Sequence, residues 1–312
     1  MHTHDHIHSH DHLHTHGARG ARLMWTFIIN VVITVVQIIG ALISGSISLL
    51  SDALHNFSDA STIIISWVAE KLTRRKSTVN RTFGYKRAEI IAAFINASLL
   101  LVIGVFLIVE STERMINHQY LNVEPGIVIL LAGFGIVGNG LSVLILQKDS
   151  AGNMNVKSAY IHLFIDMLSS FVVLAGGVMI YFFNFYLLDP ILSILIAVYL
   201  IVLSWKLVVQ SLKVLMQFTP EGIDLEKIAR HLSAFDKVRG IHHLHAWQLN
   251  DNDIYFEAHV EFNKDLTISE SCGILNRMRE ELYKEFHITH TTFQSEYELQ
   301  CDKALINQGM PH

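Results

Sequence analysis

Charged side chains are scarce in this sequence of 312 residues. They make up 16% of it, whereas a soluble globular domain carries about 25%. The shortage is uneven, because residues 219–312 hold 16 of the 28 acidic side chains while residues 1–218 contain long apolar runs. This distribution excludes a single soluble domain, a disordered chain and a fibrous protein. It indicates a polytopic membrane protein with an acidic, soluble C-terminal domain.

Cysteine is also nearly lacking, since Cys272 and Cys301 are the only two and both fall in the soluble part. Two such residues exclude a disulfide framework and a cysteine-based zinc ribbon, and they are most simply interpreted as reduced cytosolic thiols. The chain has no P-loop, no G-x-G-x-x-G and no H-E-x-x-H pattern. ATP-driven pumping and zinc-protease chemistry therefore lack their usual residues. We expect neither an enzyme nor a nucleic-acid partner.

Histidine is abundant at the N-terminus, where it occupies every even position from His2 to His16. The segment has no basic start and no small-residue cleavage site, so it is not a secretory signal. Two interpretations remain open: an expression tag or inert tail, and a flexible chelator of borderline metals such as Zn²⁺. The second points to a metal without saying whether the protein moves, stores or senses it.

Apolar stretches long enough to cross a membrane recur along the first two thirds of the chain, since a spanning helix needs about 20 mostly apolar residues. Turn-forming sequences such as Pro125-Gly126 and Asp189-Pro190 separate them. We therefore predict six transmembrane helices, at about 23–43, 48–70, 88–114, 124–147, 158–183 and 190–214.

The placement of basic residues predicts the orientation. The segment 71–87 carries seven Lys or Arg and no acid, whereas the loops near 44–47, 116–123 and 184–189 carry no Lys or Arg. The positive-inside rule then places both termini in the cytoplasm. An even number of spans requires both termini to lie on the same side of the membrane, which agrees with this placement.

Ionisable residues interrupt two of the predicted spans. His55 and Asp59 lie four apart in the second, and His162 and Asp166 lie four apart in the fifth, both in a His-x-Phe-x-Asp pattern. This spacing puts each pair on one helical face. If the helices face each other, two His and two Asp converge into a four-ligand site that suits tetrahedral zinc. The alternative is a polar seam between helices, and Asp52 is either an outward-side way station or a helix-packing acid.

Residues after Thr219-Pro220 are polar and predict a small α+β domain. The segments 222–235 and 268–286 fit helices, while 238–249, 254–263 and 288–297 fit strands. The order α-β-β-α-β suggests an open-faced sandwich similar to metallochaperone domains. Six histidines lie between 242 and 290 of this domain.

Three segments carry a resemblance to a known family. Ser44–Asp59, Arg81–Glu89 and Ala159–Asp166 are similar to the cation diffusion facilitators, and most similar to their bacterial zinc exporters. The resemblance implies a homodimeric six-span zinc/proton antiporter of the cytoplasmic (inner) membrane. It places the transport site on four residues and a cytosolic metal site on four more. These are His55, Asp59, His162 and Asp166, and then His242, His259, His290 and Glu296.

Two departures from the family pattern have consequences. Some members carry a second site between spans two and three, but residues 73–88 contain neither Asp nor His, so we expect no site there. Relatives with a His-rich loop between spans four and five also differ, because 148–157 has no His. The N-terminal tail is the candidate for that role.

The sequence therefore predicts a secondary transporter that exports zinc from the cytoplasm in exchange for protons. Zn²⁺ is expected as transported substrate and as regulatory ligand of the cytosolic domain, with no other cofactor. A membrane metal sensor or store and a passive divalent-metal channel remain alternatives. The expected regions are a His-rich tail at 1–20, a transport domain at 21–218, a cytosolic metal-binding and dimerisation domain at 219–300, and a C-terminal tail at 301–312.

Overall fold

A computed structural model describes residues 13–118, 122–150, 154–250, 253–299 and 303–306. Most of the His-rich tail, Cys301 and most of the C-terminal tail lie outside these residues. The chain forms two compact units. One contains the described residues up to Ile65 together with Ile95–Lys206, and the other contains Ser66–Phe94 and the described residues from Leu207 onwards.

Six long helices account for most of the first two thirds of the chain. Five of them contain a stretch long and apolar enough to cross a membrane; α2, which carries Asp52, His55 and Asp59, is not among those five. The chain is therefore a multi-pass membrane protein. The helices are α1 (Leu13–Ser44), α2 (Ile47–Thr73), α3 (Ala88–Ile116), α4 (Pro125–Ser150), α5 (Met154–Phe183) and α6 (Leu188–Leu215).

The start of α2 is held by a carboxylate from another helix. Asp189, in the first turn of α6, accepts hydrogen bonds from the hydroxyls of Ser46 and Ser48 and from the backbone N–H groups of Ile47 and Ser48. The first N–H groups of a helix have no partner within it, so a buried acceptor here stabilises the helix end. The preceding turn uses Gly45, whose φ of +69° favours glycine.

The C-terminal domain has the predicted order α-β-β-α-β. It consists of α7 (Leu225–Ser233), β1 (Val238–Gln248), β2 (Ile254–Phe262), α8 (Ile268–Phe286) and β3 (His290–Glu296). The strands lie in the order β1-β2-β3, with β1 antiparallel and β3 parallel to the central β2. The predicted fold class, a helical membrane part with a small α+β domain, is thus confirmed, whereas the count of six spans is not, since α2 is not among the five described helices apolar enough to cross a membrane.

Alternation along β2 builds the core of this domain. Phe256, Ala258 and Val260 are buried and pack with α8 residues that recur at helical spacing, among them Met278 and Leu282. A capping box at Thr267 and Glu270 begins α8. The hydrogen bond from the Thr267 backbone N–H lowers the pKa of the Glu270 carboxyl below its usual value. This core packs against one face of the sheet and supports the side chains that lie on the other face.

Candidate metal centre

The four predicted transmembrane residues lie together in the structure. His55 and Asp59 are one turn apart on α2, and His162 and Asp166 are one turn apart on α5. His55 lies 3.5 Å from Asp59 and 3.7 Å from Asp166, and His162 lies 3.3 Å from Asp59 and 3.6 Å from Asp166, measured between ring nitrogen and carboxylate oxygen. Each imidazole therefore touches both carboxylates, and the four contacts close a ring.

Three members of the ring are spaced as ligands of one cation, since one ligand atom each from His55, Asp59 and Asp166 lie within 4.8 Å of one another. Ligand atoms about 2.0–2.2 Å from a tetrahedral zinc ion lie about 3.3–3.5 Å from one another. The observed nitrogen–oxygen separations of 3.3–3.7 Å are near that value, but those of His55 use both of its ring nitrogens and those of Asp166 use both of its oxygens. They exceed the about 2.7–2.9 Å of a tight hydrogen bond between charged groups. The four side chains are therefore adjacent without pairing tightly, and a tetrahedral site requires each of them to turn a single ligand atom to the same cation.

The polar atoms of the ring also lack other partners. Both oxygens of Asp166, Oδ2 of Asp59 and Nδ1 of His55 are buried and make no hydrogen bond to the described residues. A buried carboxylate left without hydrogen bonds is costly. A cation bound at the centre of the ring would satisfy these atoms together.

Exposure changes along the two helices. The Asp166 side chain is 0% exposed and that of His55 6%, whereas Asp59 is 17% and His162 43% exposed. The more exposed pair lies nearer the C-terminal end of α2 and the N-terminal end of α5. The two ligand pairs therefore differ in exposure, and His162 and Asp59 form the more exposed end of the ring.

Asp52 is not a member of the ring. Its carboxylate accepts hydrogen bonds from Ser169, Ser170 and Gln37. Of its two sequence-based interpretations, these contacts favour the helix-packing acid, although both Asp52 and its serine neighbours lie one turn from the ring.

A second cluster of candidate metal ligands lies on the C-terminal sheet, on the face away from the hydrophobic core. Glu296 lies 3.0 Å from Nε2 of His242 and 2.6 Å from Nδ1 of His259. His243 joins them, because one nitrogen from each of the three histidines lies within 4.8 Å of the others. His242, His243 and Glu296 are all buried. Nitrogen and carboxylate donors of this kind suit Zn²⁺ and other borderline metals.

A β-bulge explains how adjacent histidines reach the same place. His242 pairs with His259 across β1 and β2, but the register shifts between His242 and His245. Within that shift His243 has a φ of +50°. In a regular strand consecutive side chains point to opposite faces, so sequence reasoning did not select His243. The adjacent His-His pair was the only signal for it.

The structure does not bring His290 to this cluster. His290 begins β3 and pairs with Tyr255 on β2. Along both strands, that pair lies four residues before the pair of His259 and Gln294. The His290 ring lies 4.6 Å from that of Tyr255. The three other predicted cytosolic residues, His242, His259 and Glu296, do lie together.

Comparisons with known proteins cover both parts of the chain. A family model described as the cation efflux transmembrane domain matches residues 23–216, and one described as the cation efflux protein, cytoplasmic domain, matches residues 220–298. The cadmium, cobalt and zinc/H(+)-K(+) antiporter of Bacillus subtilis (strain 168) is 34% identical over 94% of each chain.

Two further relatives have similar coverage. The zinc transporter ZitB of Pectobacterium atrosepticum is 32% identical over 90% of this chain and 86% of its own. The metal cation efflux system protein CzcD of Cupriavidus metallidurans is 29% identical over 97% of this chain and 92% of its own. Both domain matches and the relatives across nearly the full length lead to one assignment: the chain belongs to the cation efflux, or cation diffusion facilitator, family.

Proposed function

We propose that this protein exports zinc from the cytoplasm in exchange for protons. The observation that carries the proposal is the ring of His55, Asp59, His162 and Asp166 between two helices of the membrane unit. Relatives named as zinc transporter and as cadmium, cobalt and zinc/H(+)-K(+) antiporter support the same substrate class. The family consists of transporters, and we infer no enzymatic activity.

Charge and donor type favour a divalent borderline metal. Two ionised carboxylates and two neutral imidazoles around a divalent cation give a centre with no net formal charge. A neutral centre reduces the large cost of charge inside a membrane. The imidazole nitrogens favour zinc over hard cations such as Mg²⁺, which prefer oxygen donors.

Proton coupling follows from competition for the same atoms. Both imidazoles and both carboxylates must be deprotonated to hold a metal, so metal binding releases protons and protonation releases metal. Zinc enters from the cytoplasm, α2 and α5 then rearrange to open the site to the other side, and protons displace the metal there. The return of the protonated site completes the exchange.

Orientation comes from the basic segment between α2 and α3. Seven Lys or Arg in 71–87 favour a cytoplasmic position for that loop and for both termini. The exposed edge of the ring, at His162 and Asp59, then faces the cytoplasm. We further propose the inner membrane as the location, in keeping with the bacterial relatives.

The cytosolic domain is proposed to sense zinc and to join two copies of the chain. His242, His243, His259 and Glu296 supply nitrogen and carboxylate donors for such an ion. The match of this domain to the family's cytoplasmic domain supports the dimer. Bound zinc would fix β1, β2 and β3 to one another, because these residues come from all three strands.

A flux assay separates this function from a passive channel and from a sensor or store. Purified protein in sealed vesicles is given Zn²⁺, Cd²⁺, Co²⁺, Ni²⁺ or Mn²⁺ with and without a pH gradient. An antiporter accumulates zinc against its concentration gradient only when the pH gradient is present. Movement that stops at equal concentrations would identify a channel, and binding without movement would identify a sensor or store.

A further inference from the structure

A fully buried carboxylate links three helices of the membrane unit. Asp52 Oδ1 accepts a hydrogen bond from the Ser169 hydroxyl at 2.6 Å, and Oδ2 accepts from the Ser170 hydroxyl at 2.9 Å and from the Gln37 amide at 3.2 Å. The Gln37 oxygen in turn accepts from the Asn56 amide at 3.1 Å. We call these residues the Asp52 network; they connect α1, α2 and α5.

The Asp52 network lies one helical turn from the metal ring on both ligand-bearing helices. Asp52 precedes His55 by three residues on α2, and Ser169 and Ser170 follow Asp166 by three and four on α5. In the proposed orientation, α2 runs towards the cytoplasm and α5 runs away from it. The network is therefore on the outward side of the ring.

Close packing by α4 encloses the network from another direction. A Cβ atom placed on Gly135 would lie 2.6 Å from the Gln37 amide nitrogen and 3.1 Å from the Ser170 hydroxyl. Any side chain larger than that of glycine would displace one of them. Gln37, Asp52 and Ser170 are all 0% exposed. In the proposed orientation the more exposed end of the ring is therefore its cytoplasmic end, and the buried Asp52 network covers its outward end.

We propose that the Asp52 network is the outward gate of the cation site. This inference rests on the proposed transport function and orientation. In the state described, the hydrogen bonds of Asp52 to Ser169 and Ser170 hold α2 against α5 and block the exit. For the cation to leave outwards, these bonds must break and Asp52 must become hydrated. Asp52 acts by positioning the two helices and is not itself a metal ligand.

The chemistry of the network suits a contact that forms and breaks. All three donors to Asp52 are uncharged, so water can replace each of them when the helices part. A hydrogen bond to a charged carboxylate is nevertheless about twice as strong as one between two neutral groups, which favours the formed contact. A buried ion pair at the same place would be harder to separate, since each charge would lose its partner.

Thiol accessibility tests the gate without requiring transport. A reporter cysteine replaces Ser58, which is buried on α2 and lies six residues beyond Asp52, on the cytoplasmic side of the network, so a reagent applied outside must pass the network to reach it. Cys272 and Cys301 are replaced by serine in this background. A membrane-impermeant thiol reagent is applied to the outer face of cells or right-side-out vesicles without added zinc. Equilibrium zinc affinity of each purified variant is measured in parallel.

Two gate variants and one matched control are compared in this background. Ser169→Ala with Ser170→Ala removes two hydroxyl donors, and Asp52→Asn removes the charge while keeping the shape. Ser193→Ala is the control, because its hydroxyl bonds to that of Ser51 at 2.8 Å and also joins α2 to another helix, α6. The control removes one buried interhelical hydrogen bond and leaves the Asp52 network intact.

The gate predicts faster labelling in both gate variants, by about tenfold or more for the double serine variant, since two hydrogen bonds to a charged group are lost. The labelling rate of the control should stay within about twofold of the parent rate, because the control loses a single neutral hydrogen bond outside the network. Zinc affinity should be retained in all three. Equal labelling rates in the control and the gate variants would show that the network is ordinary helix packing and not a gate. A large loss of zinc affinity in the gate variants would show that the network shapes the ring and is not a gate.

The outcome is distinguishable from failure of the proposed transport function. Absence of zinc flux in the parent protein would overturn the transporter, whereas the labelling result depends only on which side of the ring is open. Labelling of the parent reporter as fast as that of the gate variants would overturn the gate even if zinc transport were demonstrated.

Discussion

His162 on α5 lies 3.3 Å from Asp59 on α2, measured from Nε2 to Oδ2. The contact joins the more exposed residues of the two ligand pairs, and His55 and Asp166 form the corresponding buried contact at 3.7 Å. In the proposed exchange, metal and proton compete for atoms that come from both helices. Replacing the metal by protons therefore changes the contacts of both helices at once. Coupling between binding and helix movement requires such a shared contact.

Removal of either ring carboxylate should abolish transport. Asp59→Ala and Asp166→Ala each leave at most three protein ligands and one negative charge fewer for the cation. Changing a group that only supports a metal ligand costs about 10–100-fold in affinity, so loss of the ligand itself should cost more. An apolar replacement should also insert into the membrane more easily. Zinc flux in vesicles at matched protein content measures the effect.

Glu70→Ala is the matched control for that prediction. Glu70 is another acid of α2, but it is exposed and pairs with Arg74. Exposed pairs contribute about 0–1 kcal/mol, so flux should be close to that of the parent protein. Undiminished flux in either aspartate variant would remove the ring from the transport pathway.

Selectivity should change when one nitrogen donor becomes an oxygen donor. His55→Asp gives the ring three carboxylates and one imidazole, a harder set of ligands. Discrimination against Cd²⁺ or Mn²⁺ should relax relative to zinc. Initial flux rates across the metal panel provide the measurement. The same order of metals in parent and variant would indicate that the size of the site, rather than donor type, sets the choice.

The cytosolic cluster yields a prediction in which two histidines differ. In protein that carries Asp59→Ala to disable the transmembrane site and lacks residues 2–16, His243→Ala should weaken the remaining zinc binding by about tenfold or more, as for loss of a group in or next to a metal's ligand shell. His290→Ala should leave it unchanged, since His290 lies against Tyr255 instead. Equilibrium titration with zinc measures both. The opposite ranking would restore the sequence-based assignment of His290 and remove His243.

Much of the membrane site was predictable because helices have a simple period. Residues four apart share a face whatever the helix packs against, so His55 with Asp59 and His162 with Asp166 could be paired from sequence. The cytosolic cluster was harder to predict from the sequence. The position of the bulge at His243 depends on register across β1 and β2, and the place of His290 depends on where β3 begins on β2. Neither is a property of the local sequence.

Asp52 shows another limit of sequence reasoning. Its position one turn from His55 could be deduced from the helical period, but its bonds to Ser169 and Ser170 come from a segment more than a hundred residues away. Serines in an apolar helix carry little signal alone. The partner of a buried acid is decided by packing, which here also requires Gly135 on α4.

The N-terminal tail should matter only when zinc is scarce. We propose that metal captured by the histidines of this segment stays near the cytoplasmic entrance, which raises its effective concentration there. Deleting residues 2–16 should lower flux at low free zinc and leave the maximal rate intact. The benefit should fade below about pH 6.5 on the cytoplasmic side, as the histidines take up protons. Flux against buffered free zinc tests this; superimposable curves would show that the tail does not capture metal, and a collapsed maximal rate would place it in the transport cycle.

The most direct test of zinc/proton exchange is proton movement driven by zinc alone. Sealed vesicles contain protein with its cytoplasmic side outward and a pH-sensitive dye in the lumen, with equal pH on both sides. Added external zinc should enter and drive protons out, so the lumen should become more alkaline, and Asp166→Ala should abolish both signals. Zinc entry with no change in lumenal pH, in vesicles shown to hold a pH gradient, would contradict the exchange mechanism.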